Sequence, residues 1–466
     1  MNNRGLTIAA LVLAALLGLL YWSNHHKPAE STSGSTSTAE PAPKILALNE
    51  GDINKIALKK KGGDQVVLTR DSNGKWQITT PKIAAGDQSA VSDMLATLSS
   101  LNSERLVEEK AANLGQYGLI TPTLEAEITD KSNTVHKILL GDDTPTGNAA
   151  YLKLDTDSRV FTIATYTKTS ISKGFDDLRD KRLITAEADK ISRLELIVKQ
   201  EDIEFGRDKD QWQILKPKPL RADGSQVDEL IRKLTEAKMD VGTTTDTAKA
   251  NSEITTDAAK ASSPATITDV TKASSAFSSG TPIATAKITT DAGTQQIEVR
   301  KNKEDYYAKS SVADGIYKVS SELGQALDKK LADFRNKKLF DFGMTGPQKL
   351  EVHDGSKAYF LTKGGDDWWS ADSKKVETNS AETLVNKLRD LQANNFEDSG
   401  FGAVAMEIIA TSNDSKRVEK ILISKSDKGS IAKREGEQAL YVLDAQTIQD
   451  LQKLLSDLKP EPPGTK

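Results

Sequence analysis

Trp76-Gln77-Ile78-Thr79-Thr80-Pro81 returns as Trp212-Gln213-Ile214-Leu215-Lys216-Pro217, and Trp369 marks a third occurrence in which Lys374 stands at the proline position. Fifteen residues beyond each of these tryptophans lies an apolar residue, Val91, Val227 or Leu384. Each opens a stripe at intervals of four and three: Val91, Leu95, Leu98; Val227, Ile231, Leu234; Leu384, Leu388, Leu391. That period is helical. Asp87, Asp223 and Ser380 lie eleven residues after the tryptophans, where a side-chain oxygen accepts an otherwise unpaired N–H at a helix start.

Upstream of each tryptophan the period changes to two. Ile56, Leu58, Val66 and Leu68 precede Trp76; Leu194, Leu196, Val198, Ile203 and Phe205 precede Trp212; Leu350, Val352, Tyr359 and Leu361 precede Trp369. Alternation broken by polar glycine turns predicts a three-stranded meander in every copy. Downstream, Ala126 and Ile128 match Ala286 and Ile288. Tyr151, Tyr307 and Ile431 then precede Phe161, Tyr317 and Tyr441 by ten residues, and a second helix leads to Leu178, Phe334 and Leu458. Strands, helix, strands, helix with short connections predict an α+β fold: three tandem repeats, each a mainly antiparallel sheet with two helices. The expected boundaries are 44–188, 189–342 and 343–460, with a tail at 461–466. A Thr-, Ser- and Ala-rich insertion at 242–280 is too poor in apolar residues to bury a core and reads as exposed and largely disordered.

The N-terminus precedes these repeats. Arg4 is the only cation of residues 1–5, and residues 6–22 are apolar apart from Thr7 and Gly18, ending in Tyr21 and Trp22. Such a span predicts a transmembrane helix. The small-x-small site of a cleaved signal is missing after it, which favours an uncleaved anchor. Residues 1–5 are then cytoplasmic, residues 23–43 form a flexible tether, and the C-terminal bulk is extracytoplasmic on a single-pass membrane protein.

The 466 residues carry 63 Lys+Arg against 67 Asp+Glu, a net charge of -4, which argues against a dedicated nucleic-acid binder. The chain has no cysteine, so thiolate nucleophiles, disulfides and cysteine-ligated metals are absent.

The Trp-Gln-Ile-x-x-Pro strand ends, Tyr117-Gly118-Leu119 with Pro122, Leu140-Gly141-Asp142, and Asp177-Leu178-Arg179-Asp180-Lys181 together resemble the bacterial domain of unknown function 4340 family. The resemblance covers nearly all of copy one, both ends of copy two, and least of copy three, which has Gly400-Phe401-Gly402 in place of Tyr-Gly-Leu. It implies membrane-anchored envelope proteins, often encoded near ABC transporter components, and brings no catalytic residues with it.

The residues themselves point to no reaction. His25 and His26 stand in the tether, and His136 and His353 lie in separate copies without a shared motif. No Gly-x-Ser-x-Gly, phosphate-binding loop or dinucleotide fingerprint occurs. The paired carboxylates Asp142-Asp143, Asp176-Asp177 and Asp366-Asp367 read as solvated turns and caps, and Gly141 to Thr144 lack the ligand alternation of a calcium loop. No catalytic, cofactor-binding or metal residues are therefore expected.

Two sets of candidate partner contacts remain. Trp368 points to the opposite face from Trp369 by strand alternation, and with Trp369 taken as the packing residue it is the tryptophan expected at the surface. The basic segments supply Arg179, Lys181 and Arg182, and Arg335, Lys337 and Lys338. They read either as helix C-terminal charges or as inter-copy or partner contacts. The expectation is a non-enzymatic extracytoplasmic scaffold for envelope or inner-membrane proteins, with ABC transporter components as partners implied by the resemblance. A cell-wall glycan or small-ligand binding module is the alternative, and an envelope hydrolase the remote one.

Overall fold

A computed structural model describes residues 43–209, 211–240, 266–343, 346–412, 416–426 and 429–460. The alternating segments form one type of sheet three times. In copy one, strands Ile53–Lys60, Gln65–Arg70, Trp76–Thr80 and Ala84–Ala85 run as a meander toward one edge. Leu124–Asp130, Val135–Asp143, Ala149–Leu154 and Val160–Ala164 run as a second meander toward the other edge. The first strands of the two meanders pair antiparallel, with Ile56 opposite Ile128 and Leu58 opposite Ala126.

Copy two repeats this with Arg193–Val198 against Thr281–Thr290, and copy three with Lys349–Asp354 against Val404–Ser412. Arg105–Glu108 and Asn395–Glu397 close the far edge in copies one and three. In copy two a single bridge, Asp240 to Lys318, stands there instead.

Between the meanders a helix crosses the sheet from one edge to the other: Gln88–Ser99, Gly224–Thr235 and Thr378–Arg389. Its apolar stripe is buried on the inward face, as Val91, Met94, Leu95, Leu98; Val227, Leu230, Ile231, Leu234; and Ala381, Leu384, Val385, Leu388. Asp87 caps the first helix by accepting from Ser89 and Ala90 N–H, and Asp223 caps the second by accepting from Gln226. In the third helix the cap position is Glu377, whose side chain caps no N–H, and Ser380 donates its hydroxyl to Glu377 at 2.9 Å. The expected cap at Ser380 is therefore corrected.

Each copy opens on an exposed cation followed by two buried apolar residues: Lys44-Ile45-Leu46, Arg182-Leu183-Ile184 and Lys338-Leu339-Phe340. The cation pairs with the segment after the crossing helix, at Asn102, Lys238 and Gln392. The chain divides into two compact units after Arg179. The first sheet lies in one unit; the second and third lie in the other, with one continuous hydrophobic core running through both.

Several expectations are overturned. The α+β class is corrected: among the described residues the fold is mostly antiparallel sheet, 46% strand against 23% helix. The count of two helices per repeat also fails in copies one and two. The second helical stretch is broken into Thr165–Ile171 and Phe175–Leu178 in copy one, and into Ser321–Leu327 and Leu331–Phe334 in copy two. The described part of the insertion contains the helix Thr266–Ser278, whose Phe277 is buried, so that part is not disordered.

The expected transmembrane anchor at residues 6–22 lies outside the described residues. No helix among the described residues is long and apolar enough to cross a membrane. The crossing helices have 12 residues with one polar face, against about 20 predominantly apolar residues for a bilayer span. The single-pass membrane localisation is corrected accordingly.

Asp87→Ala is expected to lower unfolding stability by about 1 kcal/mol, and Ser380→Ala to change it by less than about 0.5 kcal/mol. Urea unfolding of the two variants beside the parent chain distinguishes the cap from the surface serine.

Candidate functional site

The tryptophan strands fix how each sheet meets its crossing helix. Trp212 Nε1 donates to Asp228 at 2.8 Å and Trp368 Nε1 donates to Glu382 at 2.8 Å, both acceptors being on the helix. Gln88 makes the corresponding tie in copy one, donating to the Trp76 carbonyl at 3.0 Å and accepting the Trp76 N–H at 2.9 Å. A cation from the facing strand lies over each ring: Arg70 over Trp76 at 4.9 Å, Arg207 over Trp212 at 5.1 Å, Lys363 over Trp368 at 5.5 Å. Hydrogen bonding to Trp368, opposed by burial, leaves the Glu382 carboxyl below its ordinary range. These three tryptophans are packing residues.

The expectation for Trp368 is thus reversed. It is 1% exposed, whereas Trp369 is 39% exposed. Trp368 is the counterpart of Trp76 and Trp212, and copy three is two residues shorter between that tryptophan and its helix, from Trp368 to Ala381. The shortening moved the fifteen-residue spacing onto the wrong neighbour.

The outward face of each sheet is covered over its second meander only. In copy one Tyr117 and Leu119 bury Val160 against Leu139 and Tyr151. The two glycine motifs interlock there. A Cβ on Gly118 would meet the Asp142 carboxyl at 2.4 Å, and one on Gly141 would meet the Tyr117 carbonyl at 2.0 Å. In copy two the helix Thr266–Ser278 takes this place, with Arg300 over the Phe277 ring at 4.7 Å. In copy three Gly402 N–H donates to Ser424 Oγ at 3.2 Å.

Over the first meander the outward face is open, and its chemistry differs between copies. Next to it in copy one, Lys137 bridges Glu125 at 2.7 Å and Glu127 at 3.5 Å. The Glu125 hydrogen bond holds its ammonium above the ordinary value. In copy two Glu204 receives Arg193 at 2.5 Å and Lys216 at 2.7 Å, and Lys287 reaches Glu195 at 2.8 Å. Copy three presents Trp369 and Phe360, 39% and 41% exposed.

The basic segments do not converge on one site. Arg179 is buried, pairs with Asp176 at 2.8 Å and lies over the Phe175 ring. Arg182 pairs with Asp180 at 2.6 Å. Lys181 and Lys337 contribute backbone carbonyls, accepting from Met239 and Ala393 at 2.9 Å. Lys338 is exposed, and its carbonyl accepts from Arg221 at 2.8 Å.

Arg335 works inside the second unit, its guanidinium 3.5 Å from the centre of the Phe396 ring. With Lys218 on Asp398 at 2.8 Å, and Arg221 on Asp341 and Glu437, it joins copies two and three. The cations come from copy two; Phe396, Asp398 and Glu437 come from copy three, and Asp341 from the segment that leads into it. Asp223, Gln226, Lys329, Asp333, Arg335 and Lys337 line a cavity of about 420 Å³ beside this junction. Lys329 donates to Gln226 at 2.9 Å and Asp333 accepts the Lys330 N–H at 2.9 Å, so its polar groups largely satisfy one another. Among the described residues no group of three His, Asp or Glu side chains is placed to hold a metal ion.

A family model described as "Domain of unknown function (DUF4340)" matches residues 76–255 and again residues 212–407, and the chain belongs to this family, in tandem copies. No curated protein and no solved structure matches it.

Two outcomes check this assignment of residues. Trp368→Ala is expected to cost about 3–5 kcal/mol of stability and Trp369→Ala less than about 0.5 kcal/mol, compared by urea unfolding followed by circular dichroism. Tyr441, at the junction, donates to Glu437 at 2.8 Å and is pushed up from 10.0 to about 12, first by burial and then by that carboxylate. A phenol whose folded pKa is raised keeps its contribution below the unfolded value and loses it as pH rises through the folded one. The unfolding midpoint should therefore fall between about pH 10 and 12, and fall less in Tyr441→Phe.

Proposed function

We propose that this protein is a non-catalytic interaction scaffold whose repeated sheets present their open outward faces to protein partners. The observation that carries this reading is the unequal covering of each sheet. The crossing helix buries the inward face, a separate segment buries the outward face of the second meander, and the outward face of the first meander is left to solvent in all three copies. A sheet face of alternating side chains is a surface on which residue types change without disturbing the core behind it. The three copies differ there in that way: a polar surface, a lattice of ion pairs, and a pair of aromatic rings. The ion pairs of copy two favour specificity and steering of a partner over raw affinity.

A photo-crosslinking side chain placed at Thr69, Gln213 or Thr362, on the outward faces, is expected to yield discrete protein adducts in cells that make this protein. The same side chain at Thr383, on the exposed side of a crossing helix, is expected to yield none. Adducts equal at all four positions, or absent at all four, contradict the reading.

A further inference from the structure

We infer that the outward face of the third sheet is a binding platform for a carboxylate-bearing glycan, with Trp369 as the stacking residue and Lys349 as the anion contact. The inference concerns one of the faces that the protein-scaffold reading also uses, and the two are told apart because sugar binding and partner crosslinking are separate measurements.

Strand register supplies the geometry. Lys349 pairs with Thr362 and Thr362 with Trp369, while Glu351 pairs with Phe360. Alternation then places Lys349, Glu351 and His353 on the same side of the sheet as Phe360, Thr362, Gly364 and Trp369. The side is the open one. Thr362 and Lys349 are exposed, as are both rings.

Gly364 sets the attitude of the indole. A Cβ there would lie 3.2 Å from Trp369 Nε1 and 3.4 Å from Cδ1. The ring therefore rests against bare backbone with its other side to solvent, and any side chain at 364 would lift it. Phe360 is held by the His353 ring, edge to face at 5.7 Å and 87°, and His353 is fixed in turn by Glu351 at 2.5 Å. Two apolar rings thus lie on a polar sheet, each seated by a neighbour.

Comparison with the second copy shows which charge is available. Arg193 occupies the place of Lys349 and Glu204 the place of Phe360, and those two pair at 2.5 Å. Copy three has an aromatic ring where copy two has the acid, and Lys349 has no ion-pair partner among the described residues. The substitution adds an apolar face and releases a cation in the same step.

The row Lys349, Thr362, Trp369 spans two interstrand spacings, about 10 Å, a reach that a disaccharide covers. Complementary to it is a ligand with apolar ring faces, hydroxyls along its edge and a negative charge. A chain of uronic acid units has all three: its C–H face lies on the indole, its hydroxyls meet Thr362, and its carboxylate meets Lys349. A nucleic acid fits less well, because one cation in a chain of net charge -4 releases few counterions.

The test is titration of the full chain with trigalacturonate, followed by calorimetry and tryptophan fluorescence, beside the uncharged galactose trimer. Saturable binding of the acidic trimer is expected, with a fluorescence change and an affinity that falls with added salt. Trp369→Ala should weaken it at least about tenfold and abolish the fluorescence change. Lys349→Ala should bring the acidic trimer down to the affinity of the neutral one. Both positions are exposed, and circular dichroism of each variant checks that it folds. Three results overturn the proposal: no saturable binding of the acidic trimer, binding indifferent to Trp369→Ala, or equal binding of both trimers by the parent chain.

Discussion

Everything in this molecule that repeats depends on the tie between a tryptophan strand and the helix that crosses its sheet. A crossing helix with one apolar stripe can slide and rotate on a sheet unless something fixes its N-terminal half. Gln88, Asp228 and Glu382 do so in the three copies, bonding to Trp76, Trp212 and Trp368. The facing cation completes the arrangement by covering the outer side of the ring, an attraction of about 0.5–2 kcal/mol depending on its exposure. Once the helix is fixed, the inward face is closed and the chain must return along the outward side, which it covers only over the second meander. The open first meander follows from that route.

How much of this was legible in sequence depended on which residues carry period and which carry contact. The stripes Val91, Leu95, Leu98 and Val227, Ile231, Leu234 were visible because a helix on a core repeats its apolar residues at fixed intervals, and every one of them is buried. Period-two alternation likewise placed the first meanders. Copy three misled because Trp369 keeps the interval of fifteen to Leu384, while the true counterpart, Trp368, lies two residues closer to its helix. The available signal was the cation: Arg207 and Lys363 both stand five residues before the tryptophan they cover. The α+β class with two helices per repeat was misjudged because periodicity does not show where a helix is interrupted, as it is between Ile171 and Phe175.

The candidate contacts divide along the same line. A basic run such as Arg335 to Lys338 shows its charge in sequence but not the acid or ring that waits for it. Phe396 belongs to the next copy and is brought in only by the fold. Copies two and three are consequently joined by polar and aromatic contacts as well as by a common apolar core. Replacing one partner of a half-buried pair such as Arg221 and Asp341 leaves the other charge without its counterpart. By contrast, the outward face of copy three was beyond reach from sequence, since its meaning rests on Lys349, Thr362 and Trp369 standing in one row across three strands.

The division of the four tryptophans among the described residues into three that pack and one that is presented is the claim on which both the structural and the functional readings rest. Hydroxyl-radical footprinting of the folded chain, read by mass spectrometry, addresses it directly. Trp369 should be oxidised rapidly and Trp76, Trp212 and Trp368 protected until the protein unfolds. Oxidation of Trp368 as fast as Trp369, or protection of Trp369 in the folded chain, would contradict the account.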